Sequence, residues 1–278
     1  MANFKGARVL SFESRRAQEI AQLIRNYGGI PIVAPSTREV PTSSEEEHRA
    51  IRGILAGEFE AIIFMTGVGA RALVEAADAV CRRDQFLAAI RHAKVIVRGP
   101  KPGAVMREFG IPITLTVPEP YTWREIVSSL DENRAKLLIR GWRIGIQEHG
   151  EPSAELYRAL RERGAELTSI PVYRWELPED VEPLKNAVRE VVKKSIDVAM
   201  FTSSIQLTHA FRIAKELALE EPFKAGLRNI FVASIGPICS EALRENGVRV
   251  DFEPSHPKMG FLVKEGAEKS AERFQTPK

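Results

Sequence analysis

Short apolar runs alternate along this chain with amphipathic stretches, and small or polar residues separate them. Arg8–Phe12 (RVLSF) predicts a strand. Ser14 then stands where a helix N-cap would, before Ala17, Ile20, Ala21, Leu23 and Ile24 at helical spacing. Gly28-Gly29 predicts the stop of that helix, and Ile30–Ala34 a second strand. Pro35–Ser44 reads as a linker, and Ser44 with Glu47 as a capping box opening a helix to about Gly57. Ala61–Phe64, Lys94–Arg98, Arg143–Gln147, Leu167–Trp175, Val198–Phe201, Ile230–Ser234 and Val248–Phe252 predict further strands. Helices are expected from Gly67, over Pro100–Phe109, after Thr122 with Glu125, and over Ser153–Arg163. The polar tail after Lys264 predicts a frayed end. Strand and helix in alternation predict an α/β fold with parallel sheets covered on both faces.

The length of 278 residues makes two domains the prior. Apolar residues are 44% and charged residues 28%, a globular composition. Net charge is 40 − 37 = +3, which argues against a nucleic-acid arm or a polybasic membrane face. It leaves room for a local anion site. Two distant cysteines, Cys81 and Cys239, suggest a reducing, cytoplasmic setting, and no Cys/His spacing suits a metal. The first residues show no secretory signal, no apolar run approaches a membrane span, and a monomer is the default expectation.

The chain also matches itself. At a shift of 137, Phe64 falls on Phe201, Thr66 on Ser203, Gly99-Pro100 on Gly236-Pro237, Arg107-Glu108 on Arg244-Glu245, and Gly110 on Gly247. At a shift of 136, Glu19 falls on Glu155, Gly28 on Gly164 and Pro35 on Pro171. Two homologous domains follow, with a cleft expected between them. Ligands of open parallel sheets bind at the carboxyl ends of strands, where helix starts offer N–H groups to anions. Those turns are Thr66-Gly67-Val68-Gly69, Arg98-Gly99-Pro100-Lys101, Glu148-His149-Gly150, Thr202-Ser203-Ser204 and Ile235-Gly236-Pro237-Ile238.

Gly67-Val68-Gly69-Ala70-Arg71-Ala72 matches a dinucleotide fingerprint, with Arg98 as a possible 2′-phosphate partner, but a plain tight turn explains it better. His149 is the histidine placed to face a ligand. Tyr173, after Pro171-Val172, is by residue type a packing aromatic at a domain boundary. Arg15 and Arg16 oppose the dipole of the first helix, so either a solvated turn or an anion accounts for them; Lys101 has the same standing.

These residues resemble the uroporphyrinogen-III synthase family over about Arg8 to Val263. The resemblance rests on Phe64–Gly69, Val97-Arg98-Gly99, Ile146–Gly150, Ile170–Tyr173, Phe201–Ser203 and Ser234–Pro237. It implies two duplicated flavodoxin-like domains joined by a two-segment hinge, 1–37 with 176–278 and 40–172. It implies hydroxymethylbilane as substrate, no cofactor and no metal, and Tyr173 as the catalytic residue that helps the terminal hydroxyl leave. Arg15, Arg16, Thr66, Gly67, Val68, Gly69, Arg98, Gly99, Lys101, His149, Gly150, Ser203, Ser204, Gly236 and Ile238 become the substrate-binding candidates. Ile238 and Cys239 stand where many members carry threonines, which keeps a non-catalytic tetrapyrrole-binding or sensor protein as the alternative.

Overall fold

A computed structural model describes residues 2–42, 45–148, 150 and 152–275. The chain divides into two compact units, Met1–Arg38 with Glu176–Lys278, and Glu39–Trp175. The first unit opens with β1 (Arg8–Ser11), α1 (Ala17–Asn26) and β2 (Ile30–Val33), and the chain leaves it through β3 (Arg38–Pro41). The second unit runs α2 (Glu45–Leu55), β4 (Ala61–Phe64), α3 (Gly67–Ala77), α4 (Arg83–His92), β5 (Lys94–Val97) and α5 (Pro100–Glu108). It continues with β6 (Leu115–Thr116), α6 (Trp123–Glu132), β7 (Arg143–Gln147), α7 (Ala154–Glu162) and β8 (Glu166–Ile170). The return strand β9 (Tyr173–Glu176) pairs with β3. The first unit is then completed by α8 (Glu182–Val192), β10 (Val198–Phe201), α9 (Ser204–Glu216), α10 (Glu220–Asn229), β11 (Phe231–Ser234), α11 (Pro237–Glu245) and α12 (Met259–Gln275).

The first sheet has the order β11-β10-β1-β2 and the second β6-β5-β4-β7-β8, with every register in both parallel. Read in chain order the first sheet is 2-1-3-4, the flavodoxin-like order. The second has the same arrangement entered at its third strand. Side chains alternate between two cores in each unit, as a period of two demands. Leu10, Ala199, Phe201 and Val232 face one core of the first unit; Val9, Val198, Met200 and Ala233 face the other. In the second unit Ile62, Phe64, Val95 and Val97 oppose Ala61, Ile63, Ile96 and Ile146 in the same way. Helices therefore cover both faces, and only the sheet edges and strand ends remain for chemistry.

The duplication holds element by element. Adding 137 to α4 gives 220–229, the span of α10; adding it to β5 and α5 gives β11 and α11 residue for residue. Gly110 and Gly247 close the matching helices at φ 63 and 70, a left-handed stop that favours glycine. In the central strands the register shows a shift of 135, because Val9 pairs with Val198 as Ile144 pairs with Ala61. The turn after β7 is thus one residue longer than the turn after β1.

Several expectations need correcting. Ser14 caps no helix: its hydroxyl accepts from the Ser36 and Thr37 N–H groups at 3.0 and 2.9 Å, and α1 starts at Ala17 after Arg16. The run Leu167–Trp175 breaks into β8 and β9 around Pro171, which lacks a ladder donor. Val248–Phe252 forms only a bridge from Phe252 to Ala233, since the Asp251 carboxylate takes the Val232 N–H at 2.9 Å. Residues 265–275 are helical in α12, with Ala267 and Ser270 fully buried. The linker Pro35–Ser44 contains strand β3. Thr122 does open α6 with a capping box, its N–H reaching Glu125 at 2.8 Å. Ser44 lies outside the described residues.

Candidate functional site

In the second unit the chain reverses direction across the sheet at β4 and β7, so their carboxyl ends form the switch point where parallel sheets bind ligands. Thr66 follows β4 with extended backbone, and its Oγ1 caps α3 by accepting from Gly69 N at 3.0 Å. Its own N–H donates to the buried Gln147 side chain at the end of β7, at 3.2 Å. A Cβ on Gly69 would sit 2.0 Å from Gln147 Nε2, and one on Gly67 2.9 Å from the Lys101 carbonyl oxygen. Protein atoms fill the space that these glycines leave, so they serve packing and not the approach of a pyrophosphate. This agrees with the tight-turn reading of the motif over the dinucleotide one.

Tyr173 begins β9 with its ring in the core, edge-on to Trp175 at 5.5 Å between centroids. Its phenol oxygen lies 3.4 Å from Thr66 Oγ1. The ring packs, as the residue type predicts, while the hydroxyl reaches the polar turn. Arg98 leaves β5 half-buried. Burial pulls its guanidinium below the usual arginine range, with Tyr173 acting in the opposite direction. Gly99 N-caps α5 against the Tyr121 ring, and Lys101 is exposed one residue inside the helix. Val68, at the start of α3, is 42% exposed despite its apolar side chain. Gly150 is buried at φ +80 against Trp175, where a Cβ would lie 2.2 Å from the indole. His149 lies outside the described residues.

Sequence reasoning missed the roles of Gln147 and of the Glu148–Tyr157 pair. Glu148 is 2% exposed and accepts a hydrogen bond from the Tyr157 hydroxyl. Burial first, and then the Glu148 charge, raise the Tyr157 phenol above its usual range. The available signal was two polar residues closing the apolar run RIGIQ-E.

In the first unit the equivalent switch point lies between β1 and β10. There Thr202 donates its hydroxyl to Glu13, and Gln206 on α9 closes the turn by accepting from Thr202 N at 2.8 Å. Position 69 + 137 = 206, so a helix side chain reaches this turn where the second unit has a glycine; there Gln147 of the neighbouring strand takes the next N–H along, that of Thr66. Ser203 N-caps α9 without a side-chain cap bond, and Ser204 follows, both half-buried. Gly236 N-caps α11, and Ile238 is 39% exposed in its first turn. Burial pushes the Cys239 thiol up to about 11, so it is no nucleophile at neutral pH. Arg15 and Arg16 are exposed, and Arg16 Nε pairs with Glu19 at 2.6 Å, which accounts for its charge at a helix start.

His209 is buried with Nδ1 2.6 Å from the Ser36 carbonyl. Desolvation, more than the opposing Ser36 contact, holds it below the usual histidine value, and Arg212 adds to the depression. Below about pH 6.5 the unfolded chain takes a proton that the folded site resists. Stability present above that pH is therefore lost on acidification, and His209→Gln should lose less between pH 7 and pH 5 in thermal melts. Among the described residues no three His, Cys, Asp or Glu side chains gather as a metal site, and no helix is long and apolar enough to cross a membrane.

Known proteins share this sequence and this architecture. The family model for uroporphyrinogen-III synthase HemD matches residues 18–264. A Bacillus subtilis (strain 168) protein named "Uncharacterized protein YjjA" is 30% identical over 261 residues, 94% of each chain. A Methanothermobacter thermautotrophicus protein named "Putative uroporphyrinogen-III synthase" is 30% identical over 234 residues, 84% of this chain and 87% of that one. A crystal structure of a mutant uroporphyrinogen III synthase from the extremely thermophilic bacterium Thermus thermophilus superposes with a TM-score of 0.72 at 22% identity, covering 96% of this chain and 100% of that one. At that identity the superposition bears on the fold alone. The family match over most of the chain, on a fold of duplicated parallel sheets, leads to one conclusion: the chain belongs to the uroporphyrinogen-III synthase HemD family.

Proposed function

We propose that this chain is a working synthase: it closes hydroxymethylbilane to uroporphyrinogen III, releasing one water and inverting the last ring. In that reaction the terminal hydroxyl leaves with a proton as water and a conjugated azafulvene cation remains. The substituted carbon of the far ring attacks it, and the resulting spiro intermediate fragments and recloses with that ring turned over. A final proton is lost. The protein's part is to donate the first proton, screen the cation and hold the bilane bent.

The observation that carries this reading is the Tyr173 phenol held at Thr66 on the strand exit of the second unit, with Arg98 close enough to act on it electrostatically. A phenol is a neutral donor near pH 7. In the second unit the candidate contacts for the acetate and propionate groups are the helix starts at Gly67–Gly69 and Gly99–Lys101. The exposed Val68 beside them suits the face of a pyrrole ring. A bacterial strain lacking its own uroporphyrinogen-III synthase tests this directly. Expression of the chain should restore growth without added haem. Abundant protein that binds bilane yet fails to restore growth would favour the non-catalytic alternative, to which the missing hydroxyls at Ile238 and Cys239 point.

A further inference from the structure

We infer that Arg98 is the specificity-determining cation of the second unit, receiving a carboxylate of the ring that bears the leaving hydroxyl, beside Tyr173. This rests on the function proposed above.

The duplication supplies an internal control. Position 98 + 137 = 235 is Ile235, and the two sites share their backbone: Arg98 N donates to Phe64 O at 3.0 Å, Ile235 N to Phe201 O at 2.9 Å. Both precede a helix N-capped by glycine and opened by proline. The fold accepts an isoleucine at this position, so it does not require a charge there. Yet the second unit half-buries a guanidinium that has no hydrogen bond or ion pair among the described residues. Arg16, Arg71, Arg83 and Arg163 are each held by a carboxylate, respectively Glu19, Glu108, Asp78 and Asp131. Those pairings raise their pKa values, whereas burial lowers that of Arg98.

A cation withdrawn from water without a partner is unfavourable unless something else supplies the anion. The guanidinium fork matches a carboxylate in two parallel hydrogen bonds. Tyr173 sets which carboxylate: if its phenol serves the departing hydroxyl, the acid group within reach of Arg98 belongs to the same ring.

The test uses 1-methylbilane, which carries methyl in place of hydroxymethyl and cannot lose water, so binding is read apart from turnover. Arg98→Ile, the residue of the sister site, should weaken methylbilane binding about 10- to 100-fold. It should raise KM for hydroxymethylbilane more than it lowers kcat, and leave Tm unchanged or higher by a few degrees, as expected when a half-buried unpaired charge is removed. Arg98→Lys should recover part of the affinity. A methylbilane whose first ring carries amides should bind wild type and Arg98→Ile alike. Equal affinity of both proteins for the full acid, or the same loss with the amide as with the acid, overturns the inference. Wild-type protein that shows Arg98-dependent binding but makes no type III product overturns the proposed function alone. Wild-type protein that binds no methylbilane overturns both.

Discussion

Tyr173→Phe should slow uroporphyrinogen III formation by about 10²- to 10⁴-fold, the usual contribution of one positioned proton donor. The ring is buried in the core of the second unit, and phenylalanine preserves that packing and the edge contact with Trp175. Only the hydroxyl is removed. Its contact with Thr66 Oγ1 is 3.4 Å long, at the weak end of hydrogen bonding, so losing that contact should cost less than about 1 kcal/mol. Binding of the carboxylates should be retained, leaving KM close to its wild-type value. Linear substrate left unconsumed closes by itself to the uninverted isomer, so the product mixture shifts toward type I. Steady-state rates with isomer analysis, alongside a thermal melt, separate this outcome from misfolding. A variant with unchanged rate and isomer ratio would remove Tyr173 from the chemistry.

Gly69→Val is expected to damage stability and activity together. Its Cβ alone would lie 2.0 Å from Gln147 Nε2 and 2.5 Å from Gln147 Cδ, both in fully buried surroundings. Gln147 would have to swing away, freeing the Thr66 N–H it now accepts and losing its own bond to the Glu148 carbonyl. Overpacking with stranded polar groups amounts to about 2–4 kcal/mol. Gly69→Ala should be milder, because alanine returns up to about 1 kcal/mol of helix propensity. Gln147→Ala placed in the Gly69→Val background should restore part of the melting temperature, since the two side chains compete for one space. Additive losses would contradict the geometry.

The architecture was legible because parallel sheets buried on both faces write themselves as short apolar runs. AIIF at β4 and VAMF at β10 are apolar throughout, and both match their predicted ranges to the residue. The repeat was legible for a related reason: Gly-Pro at the start of α5 and α11 and glycine at their ends record fixed backbone geometry. Ser14 misled because a hydroxyl before a helix can serve any nearby N–H, and here the chain end of β2 lies nearer than α1. The frayed tail misled because a helix packed on one face needs few apolar residues, and Leu262, Val263 and Ala267 suffice. At the site, helix-start glycines and hydroxyls could be named from sequence. The Gln147 bridge could not, since it joins strands 81 positions apart through a side chain whose type is common anywhere. Nor could the contrast between Arg98 and Ile235 gain meaning until their matching backbone bonds marked them as one position used twice.

The decisive measurement supplies freshly generated hydroxymethylbilane to the purified chain and follows the isomers of the cyclised product over time. Uroporphyrinogen III should accumulate faster than the spontaneous closure and dominate the product, with Tyr173→Phe reverting toward the uncatalysed mixture. A product composed of the type I isomer at the rate seen without protein would show that this member of the family does not perform the ring inversion.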